Sequence, residues 1–481
     1  MNKRMVFSTL GKLTISEAAL MTFPLIVAFV YGEFLSAIAY AIAIGIALTV
    51  GFALYFIFRT KNHTIYAKEG FILVALGWLV MSIIGAVPFV ITKEIPSYVD
   101  AFFETVSGFS TTGASIITDP SSLSHASLFW RSFTHWVGGM GVLVFIMAIL
   151  PSISDRSIHI MRAEMPGPIV GKIVPRATQT ARILYIIYLA FTILETIFLM
   201  LGGVSFFDSL LYSFGSVGTG GFGLRADSLA SFSPYVQWVI TIFMFLCGIN
   251  FNLFYLILMK KFKSAIRSSE LWAYVGIAAI ATLVIIFDTS SMYSSLGENI
   301  TASSFQVSAV ITSTGYSVVD YNAWPTLSKT VLVLLMFVGA CAGSTGGGFK
   351  VARIVMLFKM IKQELRRVIH PRSVTAVKFE GKVVDKTTLS SVSSYLAIYL
   401  VFFVATIVLI SFEPFGFETN FTTALSCINN IGTFFAGANE GIGFANYSIF
   451  SKIVLSFAML FGRLEIYPLL LALTPNTWTK K

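Results

Sequence analysis

The chain has 481 residues, of which 56% are hydrophobic and only 12% charged, and its mean hydropathy is +0.82. That balance is too apolar for a soluble domain and marks a polytopic membrane protein. The net charge of +10 does not indicate a nucleic-acid partner, because the basic residues sort by side of the membrane and do not form one patch. In chain order, apolar runs of the roughly 20 residues that span a bilayer lie near 15–31, 35–58, 70–92, 127–150, 183–202, 235–259, 271–287, 327–342, 393–411 and 449–473. They leave no room for a large soluble domain. The first run lacks a small-residue cleavage site and another span soon follows, so it reads as a retained helix and not a removed signal peptide. Cys247, Cys341 and Cys427 lie in or beside apolar segments without metal-ligand spacing, and read as buried small hydrophobes.

Apart from Lys93, Arg131, Arg225, Lys329, Lys452 and Arg463, every Lys and Arg falls in 1–14, 59–69, 151–182, 260–270, 350–386 or the last two positions. The positive-inside bias places these segments, and with them both termini, in the cytoplasm. The alternate connections, 93–125, 203–233, 288–326 and 412–447, then face outward. They carry Asp100, Glu104, Asp119, Asp208, Asp227, Asp288, Glu298, Asp320, Glu413, Glu418 and Glu440, and an acidic mouth concentrates cations.

These outer connections are too long for turns and too apolar for solvated loops. All four share one grammar, a short helical segment that ends in small residues and a glycine. The first runs from Asp100 to Thr111-Thr112-Gly113, the second from Phe207-Asp208 to Gly218-Thr219-Gly220, the third from Ser303 to Ser313-Thr314-Gly315, and the fourth from Asn420 to Asn430-Ile431-Gly432. An apolar span stands before and after each, so the period is one folding unit. Non-helical backbone at membrane depth survives only where protein buries it or a watery cavity receives it. Four such segments lining one cavity would aim their helix C-termini, and the partial negative charge there, inward. Glycine then frees the returning backbone to turn carbonyl oxygens toward an axis, where rings of them replace the hydration shell of a monovalent cation.

Three further features invite sharper readings. Gly218-Thr-Gly-Gly-Phe-Gly223 fits the dinucleotide pattern but lacks the βαβ context that the pattern requires. The run Gly343-Ser344-Thr345-Gly346-Gly347-Gly348 interrupts an apolar span and makes a poor helix interior, so the span breaks there into two helices joined by an extended loop, unless the small residues serve close helix packing. Arg463 is costly inside a span and either snorkels to the lipid interface or faces inward. Arg131, Lys329 and Lys452 sit near the outer starts of their spans, as interfacial anchors or partners of the outer acids. A hydrolase using Ser344 and His135 as nucleophile and base competes as a class, although no sequence feature pairs the two.

The ordered set of four filter segments, together with Cys341-Ala-Gly-Ser-Thr-Gly-Gly-Gly-Phe-Lys350 and Gly462-Arg-Leu-Glu-Ile466, resembles the Trk, Ktr and HKT superfamily of potassium transporters, most closely its TrkH branch. The helix pair at 15–58 is similar to that branch, and the fourth filter departs from the others in carrying Asn430-Ile431. The resemblance implies an all-α polytopic membrane protein, with an N-terminal helix pair at 1–67 and helix, pore-helix, filter, helix repeats at 68–150, 178–262, 270–365 and 388–475 around a pseudo-fourfold pore. It implies potassium uptake across a prokaryotic inner membrane with no organic cofactor on the chain, and Gly113 favours potassium over sodium, since serine there accompanies sodium permeability in the family. It also implies that 343–348 obstructs the pathway beneath the filter, that Ser344 and Thr345 contact passing ions, that Arg463 faces the ion path, and that two chains pair and bind a TrkA-like cytoplasmic ring carrying nucleotide. Channel-like conduction and symport with protons or sodium both stay open.

Overall fold

The computed structural model describes residues 2–60, 66–141, 177–372, 376–435 and 443–478. The sequence-expected span end at 142–150, the basic segment 151–176, the outer acid Glu440 and the last two lysines lie outside the described residues. The fold is an all-α polytopic membrane bundle. Helices α1 (Lys3–Leu20), α2 (Thr22–Val30) and α3 (Phe34–Ile57) form the N-terminal group. The first of them begins at Lys3, well before the apolar run, because the Asn2 side chain caps it by accepting from Met5 N at 3.2 Å and Glu69 Oε1 accepts from Asn2 N at 3.1 Å.

Four groups follow. The first contains α4 (Ala67–Gly85), α5 (Val87–Ile91), α6 (Tyr98–Phe109) and α7 (His125–Gly139). The second contains α8 (Ala177–Leu201), α9 (Phe206–Val217), α10 (Pro234–Cys247) and α11 (Phe251–Leu258). The third contains α12 (Ser269–Asp288), α13 (Leu296–Ile311), α14 (Thr326–Val338) and α15 (Val351–Ile369). A small antiparallel hairpin, β1 (Lys378–Phe379) with β2 (Lys382–Val383), precedes the fourth group of α16 (Lys386–Ile410), α17 (Phe417–Ile428), α18 (Ile449–Arg463), α19 (Tyr467–Leu473) and α20 (Pro475–Trp478).

The short helices α6, α9, α13 and α17 begin on a local signal. Ser97, Ser205 and Ser295 accept from the amides of Asp100, Asp208 and Glu298 three residues on, so each start joins a serine cap to a first-turn acid. The fourth starts on Gly416, with Glu418 as its first-turn acid.

Two apolar runs read from the sequence as single spans are broken. The run 235–259 divides into α10 and α11, which bend by 91°, and 449–473 divides into α18 and α19 at Glu465 and Ile466, both with positive φ. Both breaks adjoin the Gly-rich segment 339–350, which separates α14 from α15 as the sequence predicts. Among the described residues, six helices are long and apolar enough to cross a membrane, before the bent pair is counted.

Candidate ion pathway

The four short helices end alike. Past Phe109, Val217, Ile311 and Ile428 comes a left-handed residue: Thr111 (φ 54°), Thr219 (φ 54°), Ser313 (φ 56°) or Asn430 (φ 54°). Its amide donates to Gly108, Ser216, Val310 or Cys427 at 3.0 to 3.3 Å, and the next amide, of Thr112, Gly220, Thr314 or Ile431, returns to Ser107, Gly215, Ala309 or Ser426 at 2.7 to 2.9 Å. This closure satisfies the last carbonyls of each helix. It also holds two β-branched threonines in a conformation they rarely adopt.

Two residues later the backbone is left-handed again, at Gly113 (φ 77°), Gly221 (φ 75°), Gly315 (φ 80°) and Gly432 (φ 83°). A Cβ on each glycine would collide with one carbonyl oxygen of the next group: Gly220 O for Gly113, Thr314 O for Gly221, Ile431 O for Gly315 and Thr112 O for Gly432. The contacts run from first to second, second to third, third to fourth and fourth back to first. They close a ring, which fixes the four segments around one axis.

This ring corrects the sequence register in the second segment. Gly221, not Gly220, is the counterpart of Gly113, Gly315 and Gly432; Gly220 is the counterpart of Thr112, Thr314 and Ile431, and Gly218 that of Ser110. Three glycines within four positions left the sequence without a means of choosing.

Side chains behind the ring differ from group to group. Ser110 Oγ and Thr112 Oγ1 lie 2.7 Å apart, and Thr312 Oγ1 and Thr314 Oγ1 lie 2.8 Å apart. In the second segment, glycines leave room for His135, whose Nδ1–H donates to Gly108 O at 2.8 Å and whose ring a Cβ on Gly220 would strike. In the fourth, Asn430 Nδ2 donates to Thr112 Oγ1 at 2.9 Å and Met459 O at 2.8 Å, joining last group to first. Arg131, only 3% exposed, pairs through Nε with Glu104 Oε1 at 2.6 Å, donates to Gly223 O at 2.9 Å and lies 3.8 Å from the Phe222 ring. Lys452 pairs with Asp100 at 2.7 Å. Arg131 and Lys452 are thus partners of outer acids and not lipid anchors; Lys329 is half-buried at the start of α14.

The loop 339–350 packs against this assembly from the side of the inner helix ends. Gly347 N donates to Ser313 Oγ at 2.5 Å, and Cβ atoms on Gly346 and Gly347 would crowd Thr312 O and Asn429 O at the bases of the third and fourth segments. Its other attachments account for the α10–α11 break: Cys341 N donates to Gly248 O at 3.0 Å, Thr345 Oγ1 to Cys247 O at 3.2 Å, and Phe251 N to Gly343 O at 3.1 Å. Backbone groups freed by the bend therefore find partners in the loop, as burial in an apolar medium demands. Gly343 and Gly348 have φ of 71° and 81°. Lys350 Nζ donates to Gly346 O.

Arg463 reaches the same loop from α18. Its Nη1 donates to Thr345 O at 2.8 Å and its Nη2 to Gly138 O and Gly139 O, both at 2.6 Å, so one guanidinium joins the loop to the C-terminal end of α7. A cation among helix-terminal carbonyls is electrostatically favourable. Glu465 pairs with Arg353 at 2.7 Å. Ser344 Oγ donates to Cys341 O at 2.6 Å, and His135 turns its Nδ1 to Gly108, so the two are not arranged as nucleophile and base.

Four short helices whose ends close into a ring within a bundle of apolar helices long enough to span a membrane give the architecture of a membrane transport protein. The family model described as "TrkH: Cation transport protein" matches residues 36–480, and the chain belongs to that family, whose members are transporters and not enzymes. The chain is 34% identical to the Trk system potassium uptake protein TrkH of Escherichia coli K12, over 99% of this chain and all of that protein. It is 31% identical to TrkH of Halomonas elongata over all of both chains. The crystal structure of the potassium transporter TrkH from Vibrio parahaemolyticus superposes with a TM-score of 0.89 at 30% identity, each chain covered completely.

Proposed function

We propose that this chain carries potassium into the cell across the inner membrane through the ring formed by Thr111–Gly113, Thr219–Gly221, Ser313–Gly315 and Asn430–Gly432. The observation that carries the reading is the closed circuit of left-handed glycines, each seated on a carbonyl of the next segment. That circuit supports equivalent carbonyl oxygens around one axis, the arrangement that substitutes for the water shell of a monovalent cation. Gly113 supports potassium over sodium, as the family pattern implies.

In this reading the loop 343–348 and Arg463 form the gate. The loop sits against the bases of two filter segments and is held there from three directions, and Arg463 sets a fixed positive charge beside the route a cation would take. Ser344 and Thr345 lie where ions would pass once the loop moves. The basic segments support cytoplasmic termini, and the basic stretch 350–386 is available to a TrkA-like regulatory ring that binds nucleotide, with two copies of this chain forming the membrane unit.

Purified protein in liposomes tests the reading directly. Potassium flux should exceed sodium flux under matched gradients, and deletion of 343–348 should raise potassium flux in the absence of any partner. Equal passage of both ions would refute the filter assignment; a folded deletion variant with unaltered flux would refute the gate.

A further inference from the structure

The loop is also clasped from the basic face, by two carboxylates outside the filter and gate assignments. Ala342 N, at the loop's entry, donates to Glu270 Oε1 at 2.6 Å. Glu270 lies in the first turn of α12 and is only 5% exposed. This buried carboxylate therefore holds the stem by which the chain enters the loop.

Glu270 is itself held by the hairpin. Glu380 at the hairpin's tip accepts through Oε1 from Ser268 Oγ at 3.1 Å, Ser269 Oγ at 3.0 Å and Glu270 N at 3.0 Å. Its turn is a two-residue one, Glu380 (φ 49°) and Gly381 (φ 74°), the left-handed pair that matches strand twist. Behind it Val377, Phe379 and Val384 share one small apolar cluster with Ala342 at the loop's entry and Ala352 just past its exit. Lys359 Nζ donates to Lys378 O at 2.8 Å, which ties the hairpin to α15. A two-stranded hairpin has little stability of its own, so its position depends on these contacts and can be moved by whatever binds it.

We propose that Glu270 is a positioning residue that holds the intramembrane loop in its closed place, and that the hairpin 376–384, through Glu380, sets whether it does so. The inference rests on the loop being the gate and adds the route by which an event on the basic face reaches it. Losing one hydrogen bond to a charged acceptor shifts a two-state balance by roughly tenfold or more, so a large change in flux is expected from either carboxylate.

The test uses the full chain in liposomes without a partner. Glu380 is exposed, so Glu380→Ala should fold; it should raise potassium flux by roughly tenfold, as should Glu270→Ala, while Glu270→Gln, which keeps an acceptor oxygen, should stay near the parent. Hydrogen exchange should quicken at 342–350 in Glu380→Ala and stay unchanged in α6, α9, α13 and α17. Deleting 343–348 should abolish the effect of both alanine variants. Unchanged flux and exchange in Glu380→Ala, with the loop deletion still raising flux, overturns the clasp and leaves the gate standing. Unchanged flux in the loop deletion as well overturns both, and an alanine effect that persists in the deletion background overturns the route through the loop.

Discussion

Replacing Arg463 by alanine separates the loop from the rest of the pore at one identifiable bond. Among its bonds to described residues, those to Gly138 O and Gly139 O join α18 to α7, and the 2.8 Å bond to Thr345 O tethers the loop. A hydrogen bond to a charged group contributes about 1.5–3 kcal/mol, which translates into a shift of roughly ten- to a hundredfold toward the displaced loop. Removing the fixed charge acts in the same direction: two unit charges about 6 Å apart repel by roughly 3 kcal/mol at an effective dielectric near 20. Arg463→Ala should therefore raise potassium flux into liposomes by at least tenfold, with the potassium-to-sodium ratio held, because no filter residue is among its hydrogen-bond partners. Lysine keeps the charge without the fork, so Arg463→Lys should fall between parent and alanine. An Arg463→Ala protein that is as abundant and as thermally stable as the parent but conducts no faster would refute the tether and leave the arginine a structural clamp on α7.

At Gly113, serine meets both a left-handed backbone and the Gly220 carbonyl, so Gly113→Ser should raise sodium uptake relative to potassium in transport-deficient cells; an unchanged ratio at normal expression would count against the ring. The corrected register yields a discriminating pair. A Cβ at Gly220 meets the His135 ring whereas one at Gly221 meets Thr314 backbone, so His135→Ala should restore potassium selectivity to Gly220→Ala and not to Gly221→Ala, read out as ion flux from the purified double variants. Glu104→Ala strands the Arg131 charge, 3% exposed, and should cost about 3–5 kcal/mol; a thermal midpoint in detergent equal to the parent's would show that the pair does not support the filter.

The membrane class, the four short helices ending in a glycine turn and the loop were legible because each is written in local pattern: run length and glycine clusters. The serine caps with acids three residues on at Ser97, Ser205 and Ser295 were equally legible and would have fixed where the pore helices start. The bends at 248–250 and 464–466 were hidden, since each run is long and apolar enough to read as one span and the cause is a segment from another repeat or an arginine on another helix taking up the freed backbone and Glu465. The choice between Gly220 and Gly221 was hidden for a similar reason. Only the hydrogen-bond closure at Gly215 and the contact with Thr314 separate them, and both depend on neighbours that composition does not name.

The asymmetry of the side chains follows from the symmetry of the backbone. In the proposed filter a cation at the axis would need four similar carbonyl positions, which the repeated φ pattern supports, but it places no demand on what supports each segment from behind. Hydroxyl pairs support the first and third segments, His135 fills the second, and Asn430 ties the fourth to the first. An off-axis difference of this kind is permitted only because the four units are one chain and can diverge. The loop depends on the same freedom. Four identical subunits would each bring such a loop to a single central position, where close packing leaves space for few. Among the described residues only the third repeat carries it; the second repeat bends to receive it, the fourth supplies Arg463, and the first offers the carbonyl end of α7 to that arginine. The first repeat acts on the loop only through Arg463, so the loop itself is held by its own repeat at Ser313, by the second at Cys247 and Gly248 and by the fourth at Arg463, and it can be loosened at any of these attachments.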